Sequence, residues 1–151
     1  VTWAAMIAEL LERSGLSLRA FARELGLSYE TVRRWRDGDY EPLLSLAVGF
    51  ADAVGWSIDV LVGDGPLIGP WRISGRAGQQ PTGFPGSLLA IARARDLSLR
   101  QLAGQTGIPS GTLLGWTQVR SEPRVGNAAK IAAALELSLH AMATGIGLRL
   151  V

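Results

Sequence analysis

The sequence predicts an all-α protein made of two compact bundles of about five helices each, and three observations carry that expectation. The chain repeats itself at an offset of 81 positions, so that Ser17 falls on Ser98. Apolar residues recur at helical spacing between residues that start and stop helices. A stretch dense in glycine and proline, residues 65–86, lies between the two copies and lacks helical periodicity.

The repeat is ungapped. Leu16-Ser17-Leu18-Arg19 falls on Leu97-Ser98-Leu99-Arg100, Ala22 on Ala103, Gly26 on Gly107, Thr31 on Thr112 and Trp35 on Trp116. Glu41-Pro42 then falls on Glu122-Pro123, Ala47 on Ala128, Ala51 on Ala132 and Ser57 on Ser138. Domain boundaries follow: 1–64, a linker over 65–86, and 87–151.

In the first copy, Trp3, Met6, Ile7, Leu10 and Leu11 form one helical face, and Gly15 ends that helix. Ser17 is a good N-cap for a second helix burying Phe21, Ala22 and Leu25. Gly26 supplies a left-handed turn, and Ser28 caps a third helix with Val32 and Trp35 inward. After the Asp37-Gly38-Asp39 turn, Pro42 opens a fourth helix with Leu46, Ala47, Phe50 and Val54 inward. Gly55 ends it, and Ser57 to Val62 forms a short fifth turn. In the second copy Ser87 caps a helix burying Leu88, Ile91 and Ala92, and Ser98 caps the next. Pro109 to Thr117, Val125 to Leu135 and Ser138 to Met142 complete it. The apolar tail Gly145 to Val151 is left without an element.

Composition narrows the class. The chain has 151 residues, 48% hydrophobic, enough for packed cores, and no apolar run near the roughly 20 residues of a membrane span. Val1 to Leu11 carries Glu9 and no basic lead-in, so it does not read as a signal peptide. The absence of cysteine excludes disulfides, zinc fingers and thiol catalysis, and fits a reducing cytoplasm. His140, the one histidine, has no metal-ligand partners in sequence, and no nucleophile set or phosphate loop appears; no enzyme activity, metal or cofactor is expected. Net charge is +2 and Lys130 is the one lysine, the remaining basic residues being arginines, which suit bidentate phosphate and guanine contacts.

The segment Leu16 to Val62 resembles the Cro/lambda-repressor (XRE) type of helix-turn-helix domain. A short helix (Ser17 to Leu25) leads through Gly26 into a helix ending near Trp35, followed by a turn and Pro42. Leu97 to Ala143 is similar to a second, more diverged copy. The resemblance implies double-stranded DNA as partner and a place at the nucleoid, with the first helix bracing the backbone and the second in the major groove. It implies base-edge positions at Tyr29, Glu30 and Arg34, with Arg33 on the same face and Ser28 and Thr31 near phosphates. Glutamine, frequent in this family at the second position of the bracing helix, is replaced here by Leu18 and Leu99, which leaves the phosphate contact to the backbone amides there or to Arg19 and Arg100. The bland reading of the same face is a solvated helix with a Glu30–Arg34 pair.

The equivalent positions of copy two are Ser110, Gly111, Thr112, Leu114 and Gly115, short in hydrogen-bonding reach, followed by Gln118, Arg120 and Arg124. Residues 1–64 carry six arginines against ten carboxylates, and 87–151 carry seven basic residues against three. Copy one therefore reads as the sequence reader and copy two as an electrostatic anchor, with a protein-contact role as its alternative. The expected function is a transcriptional regulator, a repressor of phage or mobile-element type, binding as one chain rather than a homodimer. With a linker of roughly twenty residues able to span about 60 Å, one chain reaches two grooves of an asymmetric site. Arg72 and Arg76 are candidates for the minor groove between the modules. The alternative function is an antitoxin-like adaptor that binds a regulatory protein partner.

Overall fold

The computed structural model describes residues 2–63, 65, 67, 69 and 71–145. Residues 146–151 of the apolar tail lie outside them. Ten helices occur among the described residues, in two units, Val1–Gln80 and Pro81–Val151.

Unit 1 contains α1 (Trp3–Ser14), α2 (Leu18–Leu25), α3 (Tyr29–Asp37), α4 (Leu44–Val54) and α5 (Ile58–Val62). Side-chain oxygens of Thr2, Ser17, Ser28 and Ser57 accept the first amides of α1, α2, α3 and α5, which otherwise lack partners. Pro42 does not open α4 as expected; it is buried, and Leu43 behind it is extended at ψ 153°, so the helix starts at Leu44. The core centres on Trp3, Trp35 and Phe50, packed edge to face at 5.3–5.9 Å between ring centroids. Met6, Ile7, Leu10, Phe21, Leu25, Val32, Val54 and Leu61 close around them.

Part of the expected linker belongs to unit 1. Residues 71–80 pass along it without regular secondary structure: the Ser74 amide donates to Ala53 O (2.8 Å), Ala77 to Leu25 O (2.7 Å) and Gln80 to Ser45 O (3.1 Å). Ser45, Gly49 and Ala53 lie four residues apart, on one face of α4, and their small size gives the strap its seat. A Cβ at Gly49 would overlap the Gly78 carbonyl oxygen. Ala77 and Leu67 are buried, Arg13 donates to Leu67 O, and Trp71 packs against Trp56 at 6.4 Å.

Unit 2 contains α6 (Phe84–Ala94), α7 (Leu99–Thr106), α8 (Ser110–Thr117), α9 (Val125–Ala134) and α10 (Leu139–Thr144). Each starts 81 positions after its counterpart in unit 1, as Trp3 and Phe84 illustrate. Ser87 does not cap α6, which starts three residues earlier. Phe84 is buried against Trp116, and the Ser87 hydroxyl donates to Met142 O at 2.8 Å. Pro85, inside the first turn where no intrahelical amide is needed, made this start look like linker.

The left-handed corners also recur 81 positions on, with different residues. Gly15, Gly38 and Gly55 are answered by Asp96 (φ 52°), Val119 (φ 58°) and Glu136 (φ 56°). Side chains with a Cβ are disfavoured there, and a β-branched one such as Val119 most of all.

Candidate nucleic-acid interface

The α2–α3 corner turns on Gly26, at φ 71°, whose amide donates to Ala22 O and Arg23 O. The Leu27 amide returns to Ala22 O at 2.9 Å, and Ser28 Oγ accepts from Thr31 N and bonds the Thr31 hydroxyl at 2.7 Å. Phe21, Ala22 and Leu25 from α2, with Val32 and Trp35 from α3, are committed to the core. Arg19, Tyr29, Glu30 and Arg34 are exposed as a result, with Arg33 half-buried beside them.

The outward face of α3 is an ionic network. Glu30 accepts from Arg33 at 2.5 and 3.1 Å and from Arg34 at 3.1 Å. Arg33 also reaches Asp37 at 2.9 Å, and Arg36 reaches Asp37 at 3.0 Å. Hydrogen bonds from Arg33, then Arg34, pull the Glu30 carboxyl down to about 2 from its ordinary 4.5, while Glu30 raises the Arg33 guanidinium above its ordinary value. All of these groups are solvated, so the network adds little to stability; its effect is to set which charges α3 presents. Both the paired-carboxylate reading and the outward placement of Tyr29, Glu30 and Arg34 thus coexist in the free protein.

Arg19 is different. Its guanidinium carbon lies 4.3 Å from the centroid of the Tyr29 ring, and among the described residues it has no carboxylate partner. Across the Gly38 corner, Tyr40 brings its ring to 6.0 Å from the Arg34 guanidinium carbon. Sequence reasoning missed Tyr40 and the bridging part of Asp37. The spacing of Arg33 and Asp37 was a usable signal; nothing in sequence announces a contact across a turn.

In unit 2, Ser110, Gly111 and Thr112 open α8 and are exposed, as are Leu114 and Gln118, and α8 carries no charged side chain. Arg100, Arg120 and Arg124 are exposed, the last at the start of α9. Val119 is 75% exposed beside Arg120. Arg72 and Arg76 do not form a free arm. Arg72 lines two open clefts of about 350 and 420 Å³ beside Trp71, and the Arg76 stem lies over Gly26, within 3.1–3.3 Å of where a Cβ there would be.

Among the described residues no group of His, Asp or Glu is placed to hold a metal ion, and no helix is long and apolar enough to cross a membrane. Neither a curated protein nor a solved structure matches the chain. The family comparison does match: the helix-turn-helix model covers residues 7–61, from within α1 to α5, and does not extend to unit 2. Members of that family are typically non-enzymatic, and the match points to DNA binding and transcriptional regulation. Residues 7–61 are thus similar to helix-turn-helix domains of the XRE type.

Proposed function

We propose that the chain is a sequence-specific transcriptional regulator of double-stranded DNA in which unit 1 reads bases and unit 2 is a second, diverged helix-turn-helix module that anchors to the backbone. The observation that carries this reading is the α2–Gly26–α3 corner, which commits Val32 and Trp35 to the core and leaves Tyr29, Glu30 and Arg34 outward. Arg34 is assigned to a guanine, Glu30 to a cytosine amino group and Tyr29 to a thymine methyl. Ser28, Thr31 and Arg33 border the phosphates. Unit 2 supports the anchor reading through Arg100, Arg120 and Arg124, with Ser110, Gly111, Thr112 and Gln118 adding modest base preference. Arg72 and Arg76, both exposed, are the candidate minor-groove contacts, the Arg76 stem lying over Gly26. From the resemblance, the regulator is read as a repressor of phage or mobile-element type, acting at the nucleoid.

Because the two outward helix faces differ at nearly every position, the site is asymmetric and occupied by one chain. Selection from a random DNA pool, followed by footprinting and light scattering of the complex, tests this. One chain over roughly two helical turns of non-palindromic sequence is expected; two chains on a palindrome overturn it.

A second reading has its own observation. Val119 and Leu114 are exposed and apolar, and Val119 is held in a strained backbone conformation, which fits a surface that meets a protein partner. An unaltered salt dependence of DNA binding after loss of Arg100, Arg120 or Arg124 favours that reading.

A further inference from the structure

We infer that Arg19 is a positioning residue for base recognition: its guanidinium plane holds the Tyr29 ring in place while its edge meets a DNA phosphate. The inference rests on the DNA-reading role proposed for unit 1 and deepens it.

Three facts bring the two functions onto one side chain. First, Arg19 and Tyr29 come from different helices, yet the corner at Gly26 brings the guanidinium carbon to 4.3 Å from the ring centroid. At that distance the guanidinium cation sits over the negative face of the ring. Second, Arg19 keeps its N–H donors uncommitted to any oxygen acceptor of the described residues. The N–H donors lie in the guanidinium plane, directed outward from its edge, and among the described residues none has a carboxylate or carbonyl partner. Arg33, Arg34 and Arg36 on the neighbouring helix are each ion-paired, with Glu30 or Asp37. Third, Leu18 beside it offers no polar group, so the start of α2 has Arg19 as its cation for a phosphate.

The consequence is that affinity for the backbone and discrimination at one base pair are coupled. A phosphate that fixes Arg19 also fixes the Tyr29 ring, whose edge is thereby presented to a thymine methyl in one orientation. Unit 2 lacks this device: Arg100 stands 81 positions after Arg19, but the residue after Tyr29 by the same offset is Ser110, which has no ring. Coupling therefore belongs to the reading unit alone.

The test uses the full chain on its selected site and on random DNA, at several salt concentrations, after wild-type binding is established. Arg19→Lys keeps the charge but not the planar guanidinium over the ring, and Tyr29→Phe keeps the ring. The expected result is that Arg19→Lys retains the salt slope yet loses about two- to five-fold in preference at one A·T pair, while Tyr29→Phe retains it. Tyr29→Ala should lose that same preference, with no further loss in the Arg19→Lys/Tyr29→Ala double variant. Independently of DNA, the Arg19 side-chain protons of the free protein should show a ring-current shift that Tyr29→Ala abolishes and Tyr29→Phe keeps. Full preference in Arg19→Lys, or losses that simply add in the double variant, overturns the positioning role and leaves Arg19 as a phosphate contact. Failure of the wild-type chain to prefer any DNA overturns the underlying reading instead, whatever the ring-current shift shows.

Discussion

Gly49→Ala should unseat the strap formed by residues 71–80. The added Cβ would overlap the Gly78 carbonyl oxygen and approach its carbon at 2.8 Å, and both are backbone atoms that have no rotamer to escape into. Relief requires the strap to lift from α4. That step releases the amide bonds of Ser74, Ala77 and Gln80 to Ala53, Leu25 and Ser45, each contributing about 1 kcal/mol net. Exposure of Ala77 adds to the loss, and the freed segment regains backbone entropy that offsets part of it. A net destabilisation of about 1–3 kcal/mol follows, which for a domain of this size lowers the melting temperature of unit 1 by roughly 5–20 °C. Differential scanning calorimetry of the full chain reads this directly. Gly78→Ala is the control, because a Cβ there meets nothing within 4 Å. A melting temperature within about 2 °C of wild type, or equal damage from the control, would show that the strap contributes nothing to the unit it lies on.

Arg34→Ala should weaken the selected site by about 1–3 kcal/mol and leave binding to random DNA nearly intact; equal loss on both would reduce Arg34 to a phosphate contact. Removing Arg100, Arg120 or Arg124 should each lower the slope of log affinity against log salt by about 0.9 with specificity unchanged, as measured by anisotropy titrations. For Glu30 the folded pKa lies below the unfolded one, so its ion pairs are complete above about 4.5 and are lost as pH falls through about 2. Carboxyl-carbon NMR should therefore find its midpoint near 2, and Arg33→Ala should move that midpoint upward; a midpoint that stays put would deny Arg33 its leading part. Val119→Gly relieves a left-handed β-branched residue whose side chain is 75% exposed, so unit 2 should gain about 1 kcal/mol, and an unchanged or lower melting temperature would refute the strain.

In unit 1, α2, α3 and α5 were legible from the serines at their starts, α1, α2 and α4 from the glycines at their ends, and α3 and α4 from the apolar faces that carry Trp35 and Phe50. The strap was not. Backbone bonds such as Ala77 to Leu25 O leave no periodic mark, and Gly49 looks like any helix glycine until Gly78 is placed against it. Phe84-Pro85-Gly86 has the composition of a turn, so composition alone places the first turn of α6 in the linker. On the candidate face, Glu30 with Arg34 could be read from a spacing of four, whereas Arg19 with Tyr29 depends on how sharply Gly26 bends the chain. Asp96, Val119 and Glu136 gave no warning of their left-handed backbone, since only the repeat of unit 1 places them at corners held there by glycine.

The strap has a consequence for how unit 1 is cut or transplanted. Trimming the chain at Leu61, where the family match ends, would strip a cover from Leu25, Ser45 and Ala53 and leave their carbonyls facing solvent along an apolar flank. It would also remove the Arg76 stem from its place over Gly26, fifty residues upstream. Nor would α9 serve as a spare part for α4, because Lys130 stands where Gly49 receives the strap. The portable piece of this protein ends at Gln80, and a graft cut where the motif ends would leave behind the strap that packs on α4 and over Gly26.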